Sequence, residues 1–413
     1  MKPSDTGKWT HNYHRYPAKF IPQLVEKLID EYTISNEEIH INDPFMGCGT
    51  TIVTAISKGF KASGTDINKI AYLITKVKST PIKPEYLNKK IEQFISQLKA
   101  LDRGGLFNDK IEPLIPQKHI DRINYWFTDE NKNELGKILK VIYDENDEVI
   151  RNFFLVAFSH ILKNCSRWLQ GSTKPNRDLK KRQVKAYEAL LRHLIKMQRG
   201  NDAFYKIVPE RVMRNLNQYL NIELGDARRQ PVPDKSVDLV ITSSPYVTSY
   251  EYADLHQLST IWLNLADDLT GYKKKFIGTS HKKYENKIIR SSIARNIVDK
   301  ISIKSKVLAK EIEAFFIDME EVFDESFRIL KHRGRACYVI GNTKLKGVDI
   351  LNAEVFAESL QYSGFKLDRI IKREIPYKIL PQKRDEKTGR FTSDCEADLQ
   401  AYPIEYIVIG LKE

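Results

Sequence analysis

The chain has 413 residues, of which 41% are hydrophobic and 29% are charged, which is typical of a folded globular protein and not of a disordered one. Its formal net charge of +13 predicts a polyanionic partner, with nucleic acid favoured over a membrane surface. Four scattered cysteines without a Cys-x-x-Cys pair indicate neither a disulfide framework nor a zinc site. No apolar run resembles a signal peptide or reaches the roughly 20 residues that span a bilayer, so we expect a soluble, cytoplasmic protein.

The first predicted element is an amphipathic helix. Apolar residues recur at helical spacing from Leu24 to Ile29, and Pro22 suits the first turn of a helix. The preceding stretch 11–21 is rich in aromatic and basic residues. It could contact a ligand, or it could simply pack on the surface around the helix.

A glycine turn between a strand and a helix follows. Residues 39–43 predict a short strand, and Thr50 opens the next helix. Gly47 and Gly49 would let the backbone approach a ligand closely, and the helix N terminus would offer amides to an anion. Tight strand–helix packing is the alternative interpretation. No Gly-Lys-Thr follows, so the turn is not a Walker loop.

Two further predicted strands end in acidic residues. Residues 61–68 predict a strand that ends in the acid Asp66, about twenty residues after the glycine turn, where nucleotide-binding α/β folds place a carboxylate on ribose hydroxyls. An aspartate that caps the next helix is the alternative. Residues 221–227 predict a later strand of the same kind, which again ends in an acid, Asp226.

Between these strands the alternation of strand and helix stops. Residues 81–217 read as helices and predict an insertion into the sheet. Within it, the basic stretch 167–182 carries a tryptophan and turn residues, and we interpret it as a DNA-contacting loop and helix, with a solvated charged helix as the alternative.

The short apolar run 237–241 predicts a buried strand of a parallel sheet. It ends in Ser-Ser-Pro-Tyr at 243–246, where Pro245 disfavours helix for the residue before it. A hydroxyl, backbone carbonyls and an aromatic ring at the carboxyl end of a strand suit a flat, amine-bearing group such as a nucleobase.

The remaining chain combines a basic segment with further elements of the sheet. Residues 273–310 hold twelve Lys or Arg residues against two acidic ones, either as a flexible arm or as a folded subdomain. The elements predicted after it are a helix at 311–330, a strand at 335–342, a helix at 351–362, a strand at 365–371, a charged loop at 383–390 that could touch phosphates, and a strand at 405–411.

Taken together, the motifs resemble S-adenosylmethionine-dependent DNA methyltransferases of the amino-methylating kind, which modify cytosine N4 or adenine N6. Residues 43–51 (DPFMGCGTT) resemble the family's cofactor loop DPFxGSGTT, and residues 243–246 (SSPY) resemble its catalytic loop [DNS]-P-P-[YFW]. Residues 16–22 (YPAKFIP) resemble the motif that completes the cofactor pocket. The resemblance covers about two-thirds of the chain. It implies a Rossmann-like methyltransferase fold, with a mostly parallel seven-stranded sheet and a largely helical insertion.

The resemblance also implies roles for particular residues. The residues implied to bind S-adenosylmethionine are Tyr16, Lys19, Phe20, Asp43, Pro44, Phe45, Gly47, Gly49, Thr50, Thr51, Asp66, Ile67 and Asp226. The implied catalytic residues are Ser243, Ser244, Pro245 and Tyr246. From their charge, the candidate DNA-binding residues are Arg167, Lys174, Arg177, Lys180, Lys181, Arg182, Lys273, Lys274, Lys275, Lys282 and Lys283.

Two departures from the family pattern bear on the substrate. Ser244 replaces the first proline of the catalytic loop, although the backbone carbonyl needed there survives. Ser243 leads the motif, and in the family a leading serine goes mostly with cytosine N4, whereas Asp or Asn goes mostly with adenine N6. Cofactor motifs that precede the catalytic loop, with an insertion between them, resemble the family's α-type arrangement.

We therefore expect a DNA methyltransferase that acts on the N4 of a cytosine flipped out of double-stranded DNA, with no metal. A cognate restriction endonuclease is a candidate partner. Adenine N6 or an RNA base as the target, and a catalytically silent nucleic-acid-binding protein, are the alternatives. The expected division is cofactor binding at 1–80, a target-recognition insertion at 81–217, the catalytic loop at 218–266, a DNA-contacting arm at 267–310 and the rest of the catalytic domain at 311–413.

Overall fold

A computed structural model of the chain shows a mixed α/β architecture around one large sheet. The structure describes residues 6–16, 19–33, 38–102, 112–172, 175–247, 252–266, 271, 275–277, 287–374, 383–384, 391–392, 399–400 and 404–413.

The described strands and helices take the following bounds. The strands are β1 (His40–Asp43), β2 (Lys61–Asp66), β3 (Leu220–Leu224), β4 (Val237–Ser243), β5 (Leu330–Ile340), β6 (Thr343–Leu345), β7 (Val348–Ile350), β8 (Lys366–Glu374), β9 (Lys383–Arg384), β10 (Phe391–Thr392), β11 (Leu399–Gln400) and β12 (Ile404–Leu411). The helices are α1 (Pro22–Tyr32), α2 (Thr50–Ser57), α3 (Lys69–Ser79), α4 (Pro84–Asp102), α5 (Ile120–Trp126), α6 (Asp129–Tyr143), α7 (Glu148–Cys165), α8 (Ala186–Ile207), α9 (Glu210–Arg214), α10 (Leu216–Tyr219), α11 (Tyr252–Leu255), α12 (Gln257–Trp262), α13 (Ser292–Ser302), α14 (Lys306–Ile329) and α15 (Asn352–Tyr362).

The central sheet has seven strands in the order β3-β2-β1-β4-β5-β12-β8. Strands β3, β2, β1, β4 and β5 run parallel, whereas β12 pairs antiparallel with both β5 and β8. The chain order reverses between β1 and β4, which is where open α/β sheets bind ligands at the carboxyl ends of their strands. The predicted mostly parallel, seven-stranded Rossmann-like sheet is confirmed.

Strand β4 is buried on both faces, as the sequence predicts. Leu239 and Ile241 pack into one hydrophobic core with α1 and α2, whereas Val240, between them, packs into another with α14 and α15. Because successive side chains of a strand point to opposite faces, this alternation places β4 between two layers of helices. The loop after β4 therefore emerges from a firmly held strand.

The predicted elements of the first β-α-β unit are also confirmed. Pro22 occupies the first turn of α1, β1 ends at Asp43, and α2 begins at Thr50. Asn68 caps α3, its side chain accepting a hydrogen bond from the Ile70 amide. These boundaries follow from local signals (proline, glycine and a capping residue), which is why the sequence alone could place them.

The insertion at 81–217 is helical, as predicted. Its apolar residues form one core together with side chains of α3 and α12, so its hydrophobic contacts continue into the elements beside the sheet. Farther along, Phe204 of α8 packs into the core shared with α1 and α2. The boundaries of the five predicted parts of the chain stay a prediction.

The basic stretch 167–182 contains no helix among its described residues, so the helical part of that prediction is wrong. The Leu169 amide donates to the Asn176 carbonyl at 2.8 Å, and the Asp178 amide donates to the Arg167 carbonyl at 2.7 Å. These bonds tie the two sides of a loop together. The indole of Trp168 is buried in this loop and stacks on Trp126.

The C-terminal end of the basic segment is folded. Helix α13 packs on α14 and contributes Ala294, Ile297 and Ile301 to the core of that side. Helix α14 begins at Lys306, five residues before the predicted start. The flexible-arm interpretation is therefore wrong for residues 287–310.

Strand β5 begins at Leu330, five residues earlier than predicted. Its first half carries Lys331, Arg333 and Arg335, so this part of the strand lacks the apolar run from which a strand is predicted. The charged loop predicted at 383–390 lies mostly outside the described residues. Among the helices that the structure describes, none has the length and apolar character needed to cross a bilayer.

Candidate active site

A cleft opens at the carboxyl ends of β1, β2, β3 and β4. Each of these strands ends in, or just before, a polar residue: Asp43, Asp66, Asp226 and Ser243, respectively. The cleft is lined by Tyr16, Lys19, Phe20, Asp43, Pro44, Phe45, Met46, Gly47, Cys48, Thr50, Asp66, Ile67, Gly225, Asp226, Ala227, Ser243, Pro245, Lys275, Phe276 and Ile277.

The structure brings together most of the residues that the sequence assigned to the cofactor. Gly49 and Thr51 are the exceptions, since they do not line the cleft. Of the four residues assigned to catalysis, Ser243 and Pro245 line the cleft, whereas Ser244 and Tyr246 do not.

The basic segment contributes one wall that the sequence reasoning missed. Lys275, predicted to contact DNA, lines the cleft together with Phe276 and Ile277. The sequence did not indicate that Phe276 and Ile277 line a cleft, because these two apolar residues stand within a strongly basic stretch. Met46, Cys48, Gly225 and Ala227 were missed as well, although each adjoins a predicted residue.

The glycine turn requires its glycines. Gly47 and Gly49 have φ values of +48° and +72°, in the left-handed region that favours glycine. A Cβ on Gly49 would stand 2.7 Å from Thr75 Cγ2, and one on Gly47 would meet the ring of Tyr16 at 3.4 Å. The Thr75 hydroxyl donates to the Gly47 carbonyl at 3.0 Å, which holds the turn against α3.

Asp66 fixes the turn from the neighbouring strand. Its Oδ2 accepts the Gly47 amide at 2.9 Å, and its Oδ1 accepts the Asn68 amide at 2.8 Å. Burial raises the pKa of Asp66 to about 6, even though these amides stabilise the charged form. Burial raises the pKa of Asp43, whose Oδ1 accepts the Phe45 amide at 3.1 Å, to about 7.

Asp226 is held by an arginine that the sequence reasoning did not select. Arg228 donates through Nε to Oδ1 at 3.0 Å and through Nη2 to Oδ2 at 2.6 Å of Asp226. Its Nη1 donates to Oδ1 of Asp318 on α14 at 2.5 Å, and the side chain of Asp318 is completely buried. The Arg228 guanidinium therefore orients Asp226 and neutralises the charge of Asp318.

The catalytic loop is anchored at two points. The Ser244 amide and hydroxyl both donate to the Val339 carbonyl of β5, each at 3.2 Å. The Tyr246 hydroxyl donates to Glu405 Oε1 at 3.3 Å, and Arg373 donates to the other oxygen of Glu405 at 2.5 Å. These contacts set the direction of the loop where it leaves β4.

The Lys19 amine is directed to the N-terminal backbone. Its Nζ donates to the carbonyls of Thr6 at 2.9 Å and His11 at 2.8 Å. Burial lowers the pKa of Lys19 to about 8. Its side chain still forms part of the cleft wall.

Comparison with known proteins places this cleft in a family. The sequence model of the N6/N4 methyltransferases, described as DNA methylase, matches residues 2–77. The chain is 28% identical over 405 residues to the type II methyltransferase M.MvaI of Kocuria varians, covering 92% of this chain and 87% of that protein. It is 23% identical over 419 residues to M.BsoBI of Geobacillus stearothermophilus, covering 88% and 81%.

Over most of its length the chain is similar to type II DNA methyltransferases, and these findings support its recognition as a DNA amino-methyltransferase. Solved structures similar to it include a Methanosarcina mazei S-adenosylmethionine-dependent methyltransferase, with a TM-score of 0.31, 9% identity and coverage of 97% and 98% of the two chains. Another is a Thermus thermophilus protein solved with S-adenosyl-L-methionine, with a TM-score of 0.23, 19% identity and coverage of 46% and 53%.

The cleft fits S-adenosylmethionine, the methyl donor that the sequence motifs predict, in its chemistry. The glycine turn lets the backbone approach a ligand where a Cβ would fill the space beside Tyr16. Acidic groups that suit hydroxyls and amines lie on β2 and after β3, and Phe45, Ile67 and Ala227 add apolar surface for a flat ring. The groups that line the cleft therefore suit a nucleoside that carries a polar tail.

Apart from Lys275, which lines the cleft, the predicted DNA contacts differ in how accessible they are. Lys180 and Arg182 are exposed. The Lys181 amine is already engaged within the protein and not directed to DNA, because its Nζ donates to the carbonyls of Lys163 at 2.6 Å and Trp168 at 2.8 Å. Arg167 is half-buried, and Arg177 stacks on the ring of Tyr125 at 4.2 Å. The predicted contacts outside the described residues are Lys174, Lys273, Lys274, Lys282 and Lys283.

Proposed function

We propose that this DNA methyltransferase transfers the methyl group of S-adenosylmethionine to the exocyclic N4 of a cytosine flipped out of duplex DNA. The observation that carries the proposal is that Ser243 lines the same cleft as the glycine turn. The two come from the ends of adjacent parallel strands, β4 and β1. A methyl donor held by the turn and a base held by the serine would therefore meet in one cleft.

Within the proposal, the cleft residues divide between donor and base. Gly47 and its neighbours in the turn hold the methionine side of the donor, and Asp66 takes the ribose hydroxyls. Asp226, oriented by Arg228, accepts from the adenine amine. The donor, when bound, supplies a methyl group on a sulfonium, which is a good leaving group.

The catalytic loop would make the target amine nucleophilic. An exocyclic amine on a pyrimidine is a weak nucleophile because its lone pair is delocalised into the ring. Acceptors aimed at its hydrogens, the Ser243 hydroxyl oxygen and the Ser244 carbonyl, favour a pyramidal nitrogen with a localised lone pair. Such acceptors stabilise the transition state more than the ground state. The bonds from Ser244 to Val339 support this role because they fix the peptide.

Tyr246 would stack on the extruded base, which is worth roughly 1–3 kcal/mol per base in single-strand binders. Its hydroxyl bond to Glu405 limits rotation of the ring out of position. The exposed cations Lys180 and Arg182 would contact backbone phosphates and give a salt-dependent affinity. The type II methyltransferases among the relatives support a role in restriction–modification, and a cognate endonuclease stays a proposed partner.

The decisive experiment identifies the product. DNA methylated by the purified protein is digested to nucleosides, and the modified nucleoside is identified by mass. We expect N4-methyl-2′-deoxycytidine. Detection of N6-methyladenine instead would overturn the cytosine assignment but would leave the proposed methylation of an exocyclic amine intact. Absence of S-adenosylmethionine binding in calorimetry would favour a catalytically silent DNA-binding protein.

A pair of serine variants tests the loop assignment. Ser243→Ala should reduce turnover by at least about a hundredfold with cofactor affinity within about twofold, because the lost acceptor acts in the transition state. Ser236→Ala is the matched control, since Ser236 precedes the opposite end of β4 and donates to the Pro233 carbonyl at 2.7 Å. Equal loss of turnover and cofactor affinity in Ser243→Ala would remove the role given to this serine.

A further inference from the structure

A stack of aromatic rings leads from the core of the helical insertion to one arginine at its surface. The buried indoles of Trp168 and Trp126 stack with centroids 5.2 Å apart, and the ring of Tyr125 meets that of Trp126 edge-on at 5.0 Å. Tyr125 is 44% exposed, and the guanidinium carbon of Arg177 lies 4.2 Å from the centroid of its ring. The core therefore holds the ring on which the guanidinium of Arg177 lies.

The loop that carries Arg177 is rigidly built. Arg177 faces Trp168 in an antiparallel bridge, between the two backbone hydrogen bonds that tie the sides of the loop together. The Lys163 amine donates to the Ser172 carbonyl at 2.8 Å, and the Lys181 amine donates to the carbonyls of Lys163 and Trp168. A loop with these internal bonds presents its side chains in a fixed arrangement, which lowers the entropy that binding costs.

Arg177 lacks the carboxylate partner of another arginine that lies over a tyrosine ring in this protein. The guanidinium carbon of Arg369 lies 5.5 Å from the centroid of Tyr32, and its Nη2 pairs with Glu31 at 3.0 Å. Within the described residues, no carboxylate pairs with Arg177, and its Nε is shielded from solvent without a hydrogen-bond partner. Its terminal nitrogens Nη1 and Nη2 are not shielded in this way, so they can donate to an acceptor outside the protein.

The loop is connected to the wall of the cleft. Arg15 directly precedes Tyr16 of that wall, is exposed, and donates through Nη1 to Asn164 Oδ1 at 3.3 Å. Gln170 of the loop donates to the same oxygen at 2.9 Å. One amide side chain thus joins the loop to the segment that supplies Tyr16. Duplex DNA that delivers a base to the cleft extends beyond it, and this loop stands where the flanking base pairs can reach it.

We propose that Arg177 reads a guanine that flanks the target base, donating Nη1 and Nη2 to O6 and N7 of the guanine in the major groove. The inference rests on the proposed function, because it takes duplex DNA as the substrate. A guanidinium with a fixed plane matches the two acceptors of guanine, whereas a mobile lysine amine serves a phosphate as a point charge. Tyr125 is a positioning residue, since it holds that plane. The exposed Lys180 and Arg182 of the same loop contact phosphates.

The test measures sequence preference and salt dependence for the same set of variants. Wild type, Arg177→Lys, Lys180→Gln and the control Arg369→Lys methylate random-sequence duplexes, and single-molecule sequencing identifies the modified positions and their neighbours. Arg177→Lys should reduce the preference for guanine at one flanking position at least about fivefold, because lysine keeps the charge but not the paired donors. Lys180→Gln should keep every preference and lower the slope of log affinity against log salt by about 1. Arg369→Lys should change neither quantity.

Variants of the ring separate positioning from folding. Tyr125→Leu should weaken the same guanine preference, because the guanidinium loses its support, and Tyr125→Phe should retain it, because the ring stays. Should Arg177→Lys not fold, this pair decides, since both changes occur at a half-exposed position. An equal effect of Tyr125→Leu and Tyr125→Phe would contradict the stacking argument.

The outcomes distinguish the inference from the proposed function. An unchanged guanine preference in Arg177→Lys, or a wild type without a flanking guanine preference, overturns the inference and leaves the methyltransferase assignment intact. A uniform loss of affinity for all sequences in Arg177→Gln, with a lower salt slope, would assign Arg177 to a phosphate and overturn the inference as well. If the wild type methylates no DNA, the proposed function fails and the inference fails with it.

Discussion

A cluster of buried histidines predicts how the stability of this methyltransferase depends on pH. The rings of His160 and His193 stack with centroids 3.6 Å apart, and His14 meets His160 at 5.7 Å. His256 lies 6.1 Å from His14 and packs on Tyr16 at 4.9 Å, directly behind the cleft wall. The cluster therefore joins the helical insertion to the cofactor-side loop.

These histidines are neutral in the folded protein. Burial lowers the pKa of His14 to about 3 and those of His193 and His256 to about 4, and it lowers that of His160 well below the usual value. Neighbouring histidines add to the lowering for His14 and His160. Protonation of one ring would place a charge against another ring in a site that excludes water.

The sign of the effect follows from proton uptake. Below the unfolded pKa of 6.5, the unfolded chain binds protons that the folded cluster excludes, so stability falls as pH falls from 6.5 toward about 4. At pH 5, which is 1.5 units below the unfolded pKa, one such histidine lowers the free energy of unfolding by about 2 kcal/mol. Asp43 and Asp66 oppose this trend, because burial raises their pKa to about 7 and about 6 and the fold takes up protons there.

A double difference isolates the histidine contribution from the carboxylates. The free energy of unfolding is measured with urea at pH 7 and pH 5 for the wild type, His193→Gln and the control His332→Gln, whose histidine is exposed. We expect the acid-induced loss to be smaller by about 2 kcal/mol in His193→Gln than in the wild type, and unchanged in His332→Gln. An identical loss in all three proteins would refute the reasoning that the cluster excludes protons.

Two further predictions concern the walls of the cleft. Arg228→Met should lower the free energy of unfolding by about 3–5 kcal/mol, because it removes the guanidinium that pairs with the fully buried Asp318. Adding Asp318→Asn should recover part of that loss in urea unfolding, and no recovery would contradict the pairing. Gly49→Ala should cost about 1–2 kcal/mol from its positive φ, with more from the approach to Thr75, and should weaken cofactor binding in calorimetry. Gly171→Ala is its control, since nothing lies within 4 Å of the added Cβ, and equal effects of the two variants would contradict the strain argument.

Local patterns predicted most of the elements that build the cleft. An apolar run identified β4, a proline placed the start of α1, and a glycine turn followed by a threonine placed the start of α2. These signals operate over a few residues, so they survive without knowledge of tertiary contacts. The predicted glycine turn and Ser243 consequently met in one cleft, since both stand at strand ends that the sheet brings together.

Local sequence patterns could not predict contacts between residues that are far apart in the chain. Asp318 follows Arg228 by 90 positions, and each residue alone resembles an ordinary surface charge. Lys78 reads as a cation in the last turn of a helix, and only tertiary packing reveals that its amine is enclosed. In 167–182 the cations suggested an exposed surface, whereas backbone bonds across the loop place the amine of Lys181 against carbonyls.

The order of the strands has a consequence for biosynthesis. Strand β8 pairs in the sheet with β12, which follows it in the chain and inserts between β8 and β5. A ribosome must therefore deliver residues 404–411 before that edge of the sheet can close. Because the Tyr246 hydroxyl donates to Glu405 of this late strand, the nascent protein cannot complete the loop that we propose to bind the base until then. Incomplete chains would thus carry the donor-binding turn without a finished place for DNA bases, which separates cofactor capture from modification of the genome.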